Sequence, residues 1–121
     1  MDDRLSIRPT IKTTYEAENP NEQFQNKTLR PILKMQNDLI CRMYLHYMEK
    51  RKVPFYQMST QKREEQIAHS VSKDNRLRGL LFGMVVGMFT LVEMDYYRQN
   101  EGEINRRITS LIIQRLESQL A

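Results

Sequence analysis

The stretch Gly79-Leu-Leu-Phe-Gly-Met-Val-Val-Gly-Met-Phe-Thr-Leu-Val92 decides how this chain is read. It carries no charge over fourteen positions, and three glycines, Gly79, Gly83 and Gly87, stand four residues apart within it. That spacing is helical, and a glycine inside a helix costs about 1 kcal/mol against alanine. A row of three is kept only where backbone must come close to backbone, so the row is expected to be a helix-packing groove. Projected at about 100° per residue, Leu81, Val85, Met88 and Val92 lie opposite the glycines, with Phe82, Phe89, Leu80, Met84 and Leu91 on the flanks. A helix apolar all round must be surrounded, and the segment is expected to be the centre of the fold. Arg76 and Arg78 before it and Glu93 and Asp95 after it close the window below the roughly 20 residues of a membrane span.

Working outward, the long helix with this ladder is expected from Arg76 to Arg98. Gly102 marks a turn, and a final helix runs from Glu103 to Leu120 on a stripe of Ile104, Ile108, Leu111 and Ile112. Upstream, Pro31 to Arg51 is helical, with Leu29, Ile32, Leu39, Ile40, Met43 and Tyr47 on one stripe and Lys50 to Lys52 as its cationic end. Asn21 suits a helix cap and Thr28 a second one before Pro31. Ser59 or Thr60 caps a shorter helix to about Ser72, and Asp74 or Asn75 caps the next. Residues 1–20, where Leu5, Ile7 and Ile11 alternate with polar neighbours and Glu16 to Pro20 is loop-like, form an extended or disordered arm. The expected fold is all-α: one domain, 21–121, a small helical bundle of three long helices and one shorter, preceded by that arm.

The length of 121 residues supports a single core, and the net charge of +4 is mild and scattered. Aromatics are not interleaved with lysines, so a nucleic-acid surface is not expected. The single Cys41 excludes an internal disulfide and fits a reducing cytoplasm. The acidic Met-Asp-Asp-Arg start has no apolar stretch behind it, so no secretory signal is expected.

Candidate chemistry is sparse. His46 with Glu49 and His69 with Glu65 each pair an imidazole and a carboxylate at helical spacing. A carboxylate-bridged di-metal bundle needs two Glu-x-x-His pairs and two further glutamates, and that set is absent. No metal, cofactor or catalytic residue is expected, and the chain points away from an enzyme. Three polar residues on apolar faces, Gln36, Thr90 and Arg115, are the alternative: a small-molecule (anion) binding protein or an enzyme using a pocket beside the glycine groove. The first expectation is self-association, since four helices in one chain rarely hide a central helix on every side and two-fold dimers are the commonest oligomers. A protein partner is the other form of the same reading.

The segments Leu-Arg-Pro-Ile-Leu-Lys-Met-Gln-Asn-Asp (29–38) and Ile-Thr-Ser-Leu-Ile-Ile-Gln-Arg-Leu-Glu-Ser-Gln (108–119) resemble a family of small uncharacterised bacterial proteins. The resemblance spans most of residues 24–119 and implies an all-helical fold. It also implies the glyoxalase label that some members carry. Glyoxalase I-like domains are strand-rich, with metal ligands on the strands. Neither is visible in this sequence, and the resemblance carries no catalytic residue onto it.

Overall fold

The computed structural model describes residues 3–9 and 19–121, and over these the chain is all-α without a strand. Helix α1 (Pro20–Phe24) starts at Asn19, whose side chain accepts the Asn21 N–H at 2.8 Å, with Pro20 in the first helical position. The cap is therefore Asn19 rather than Asn21. A π turn, Gln25–Leu29, follows and runs into α2 (Arg30–Met35). Pro31 explains the turn: it has no N–H for the carbonyl four residues back, and its ring crowds that carbonyl. Widening the helix relieves both problems. Thr28 lies inside this turn and caps nothing.

Gln36, at φ −91° and ψ 6°, interrupts the winding before α3 (Asn37–Lys50). The faces before and after it do not continue one projection. Leu39, expected on the buried stripe, is exposed, while Tyr44 and Cys41 are buried. Helix α3 ends in a Schellman motif: Val53 N–H bonds Met48 O and Lys52 N–H bonds Glu49 O, both at 2.9 Å, with Lys52 at φ 58°. A short turn, Phe55–Gln57, is pinned by Arg63, which donates to the Phe55 and Tyr56 carbonyls.

Helix α4 (Thr60–Lys73) is capped by Ser59, and α5 (Asn75–Val86) by Asp74, as their sequences predict. The expected single helix from Arg76 to Arg98 is instead two. Past Val86 the chain tightens, with Met88 N–H on Val85 O and Phe89 N–H on Val86 O, and Thr90 turns extended at ψ 166°. Thr90 then opens α6 (Leu91–Gln99) with a full capping box: Glu93 N–H donates to its Oγ1, and Glu93 Oε1 accepts the Thr90 N–H at 2.9 Å. Chain reversal before α7 (Glu101–Leu120) falls at Asn100, and Gly102 lies within the helix. The count of three long helices and one shorter is corrected accordingly.

Helix α7 contributes Ile104, Ile108, Ile112 and Leu116 to the core, all fully buried, and packs on α3, α4 and α6. Opposite it lie Leu29, Ile32, Leu33, Ile40 and Tyr44. Helix α5 buries one stripe, Leu77, Leu81 and Val85, against α3 and α4. It is therefore an edge helix. The face opposite the glycines enters the core, and the glycines look outward. No helix among the described residues is long and apolar enough to cross a membrane.

Candidate functional site

Two places combine unusual residues with unusual surroundings. The first is the outer face of α5. Gly79, Gly83 and Gly87 are all exposed, and a Cβ added at Gly79 or Gly83 would meet nothing within 4 Å. No part of the described chain uses the bare backbone, so the close approach expected within the fold is not made by its own helices. Gly87 differs. It caps α5, and a Cβ there would stand 2.8 Å from the Gly83 carbonyl oxygen. Leu80, 40% exposed, lies within about 60° of Gly83 and 20° of Gly87 around the projected helix. Leu91 and Val92, in the next turn of chain, are 77% and 79% exposed.

The second place is the α5–α6 junction, where the amino-terminal segment meets the body. Ending α5 leaves carbonyls without helical donors, and such groups need partners. Gln36 Nε2 donates to Met84 O at 3.2 Å, Arg8 Nη2 to Met88 O at 2.7 Å and Arg4 Nη1 to Phe89 O at 2.9 Å. Cations at a helix carboxyl end are also favoured by the helix dipole. Arg8 further grips Glu93 in a two-pronged pair, Nη1 to Oε2 at 2.7 Å and Nη2 to Oε1 at 2.9 Å. Thr28 Oγ1, aimed inward by the π turn, adds a bond to Glu93 Oε2 at 3.0 Å.

The pair is nearly dry, with 4% of the Arg8 side chain and 14% of the Glu93 side chain exposed. Burial alone would raise the Glu93 pKa. The hydrogen bonds from Arg8, the Thr90 N–H and Thr28, with the Arg8 charge, outweigh it and hold the carboxyl below its usual range. Arg8 Nε is buried without a partner, which sets a cost against the clasp. Leu5 and Ile7, the apolar residues of the arm, are exposed; the arm is held by its arginines. The expectations for Ile11 and for the loop from Glu16 fall largely on residues 10–18, outside the described residues.

The proposed pocket trio takes separate duties. Gln36 and Thr90 are spent on the helix ends just described. Arg115 Nη1 donates to Asn37 Oδ1 at 3.1 Å and lines a surface cleft of about 330 Å3 with Arg30, Leu33, Leu111, Gln114 and Ser118. Neither Gln36 nor Thr90 belongs to that cleft. Cys41 is buried, and burial followed by the Asp38 charge pushes its thiol pKa up against the pull of Arg115, so it is a poor nucleophile. Among the described residues no three His, Cys, Asp or Glu side chains gather as metal ligands.

The polar node that residue spacing did not single out is Tyr47–Arg51–Asp74. Asp74 accepts the Arg76 and Leu77 N–H groups as helix cap and the Tyr47 hydroxyl at 2.9–3.0 Å. Burial opposes its ionisation, but the Leu77 N–H, the Tyr47 hydroxyl, Arg51 and the Arg76 N–H together bring its pKa below the usual range. Arg51 lies over the Tyr47 ring at 5.0 Å and donates to its oxygen at 2.6 Å. Compared with known proteins, the chain matches no family model, no curated protein and no solved structure.

Proposed function

We propose that this chain is a helical interaction module that pairs with a second copy of itself through the outer face of α5. The observation that carries the reading is the empty space over Gly79 and Gly83. Two glycines at fully helical positions forgo about 2 kcal/mol of helix stability, and nothing in the described fold takes advantage of the room. A second backbone can. Small residues four apart let helices approach closely and favour a steep crossing, near −40 to −50°. A two-fold axis through the face would match each groove with its copy. The lone buried thiol suits a reducing, cytoplasmic setting.

Gly83→Leu tests this directly. In the isolated fold the new side chain meets open space and improves helix propensity, so the monomer should melt no lower than the parent. Across the pair it would hold the backbones apart. Light scattering over a hundredfold range of concentration should show the parent passing to twice its mass and the variant remaining monomeric. A parent that stays monomeric throughout, or a variant that pairs as well, refutes the proposal.

A further inference from the structure

Bordering the glycine face of α5, on the flank turned towards α3, a cavity of about 450 Å3 opens between the carboxyl-terminal half of α3 and the first turns of α5. Lys50, Arg51 and Arg76 line it together with Tyr47, Met43 and Leu80, and no carboxylate does. His46 lines it as well. Among the described residues Lys50 and Arg76 form no ion pair, and Arg51 meets Asp74, which does not line the cavity, at 3.7 Å. Gathering three cations against one counter-charge is unfavourable. Arg76 compounds it by standing in the first turn of α5, the end of a helix dipole that disfavours positive charge.

The cluster is also prepared. Tyr47 is buried, donates a hydrogen bond to Asp74 and accepts one from Arg51, so the guanidinium is fixed by a ring face, a phenol oxygen and a nearby carboxylate. A donor fork held in place loses little freedom on binding an oxyanion. Met43 and Leu80 give the same cavity an apolar side, and methionine adapts to irregular shapes.

We propose that this cavity binds a phosphomonoester bearing a short apolar group. The phosphate head would sit among Lys50, Arg51 and Arg76, with the apolar group against Met43 and Leu80. Near neutral pH a phosphomonoester carries close to two negative charges, which three neighbouring cations match better than they match a carboxylate. The cavity has room for a phosphate with a chain of about six carbons, and its apolar side, only Met43 and Leu80, matches a short group.

Calorimetric titration of the full chain with hexyl phosphate at low salt tests the proposal. Saturable one-to-one binding is expected, tighter than for inorganic phosphate, heptanoate or hexanol. Lys50→Gln with Arg76→Gln, two exposed side chains, should weaken it at least about tenfold, since hydrogen bonds to charged groups are lost. Leu80→Gln should remove the preference for hexyl phosphate over inorganic phosphate while leaving the latter's affinity unchanged. Vesicles containing phosphatidic acid should not pull the protein down. Equal binding by parent and double variant, equal binding of the two phosphates, no saturable binding, or co-sedimentation with the vesicles would each overturn it. Melting curves of the variants show that they remain folded.

Discussion

Replacing the glycines of α5 by alanine one at a time separates three readings of the same row. At Gly79 and Gly83 the new methyl meets nothing within 4 Å, so only helix propensity changes. That gain is about 0.8–1 kcal/mol per site, and the two should nearly add because the methyls share no partner. The unfolding entropy of a 121-residue chain is about 0.25 kcal/mol/K. The double variant should therefore melt about 6–8 °C higher when dilute enough to be monomeric. Gly87→Ala should go the other way. Its methyl would press within 2.8 Å of the Gly83 carbonyl, a backbone atom, and overpacking of that kind costs about 1–3 kcal/mol. The assay is thermal melting by circular dichroism, with mass checked by light scattering on the same samples. A monomeric Gly79→Ala/Gly83→Ala variant that melts below the parent, or a Gly87→Ala variant that rises with it, refutes the account of α5 as an outward-facing edge helix.

Glu93→Gln removes the charge opposite a nearly dry Arg8 and should cost about 3 kcal/mol in urea unfolding; a loss under about 1 kcal/mol would mean the clasp is not closed in solution. Acid should weaken the fold through Glu93 and Asp74. Both pKa values are lower folded than unfolded, so their contribution is complete above about pH 5 and fades as pH falls towards 3, and a urea midpoint flat across that window would contradict the hydrogen bonding described. Lys52→Gly should stabilise by about 1 kcal/mol, because glycine takes the left-handed position at the end of α3 without steric cost; an unchanged or lower melting temperature would count against the Schellman geometry.

What could be read from residues alone was what depends on near neighbours. Ser59 and Asp74 cap the helices they precede, and the stripe Ile104, Ile108, Leu111 and Ile112 is buried as its spacing predicts. The break at Gly87–Thr90 was hidden by the unbroken apolar character of residues 79–92. Its signal was nonetheless present, since Thr90-Leu-Val-Glu93 is a capping-box spacing. The buried face of α3 was misplaced because the π turn and Gln36 each reset the helical phase, and only Pro31 hinted at that. The clasp had no local signature at all. Arg4 and Arg8 bind carbonyls and a carboxylate 80–85 positions away, so their duty depends on where α5 happens to stop. The same holds for Lys50, Arg51 and Arg76, cations that end or begin separate helices until the fold sets them around one cavity.

The separation of Arg8 and Glu93 by 85 residues has a consequence for how the molecule is built. At translation rates of about 5–20 residues per second, roughly 4–17 s pass between synthesis of the arginine and of its acceptor. The segment that bears Arg4 and Arg8 is thus among the last to find its seat. Until then, the forming helices must tolerate it undocked, with Leu5 and Ile7 on it.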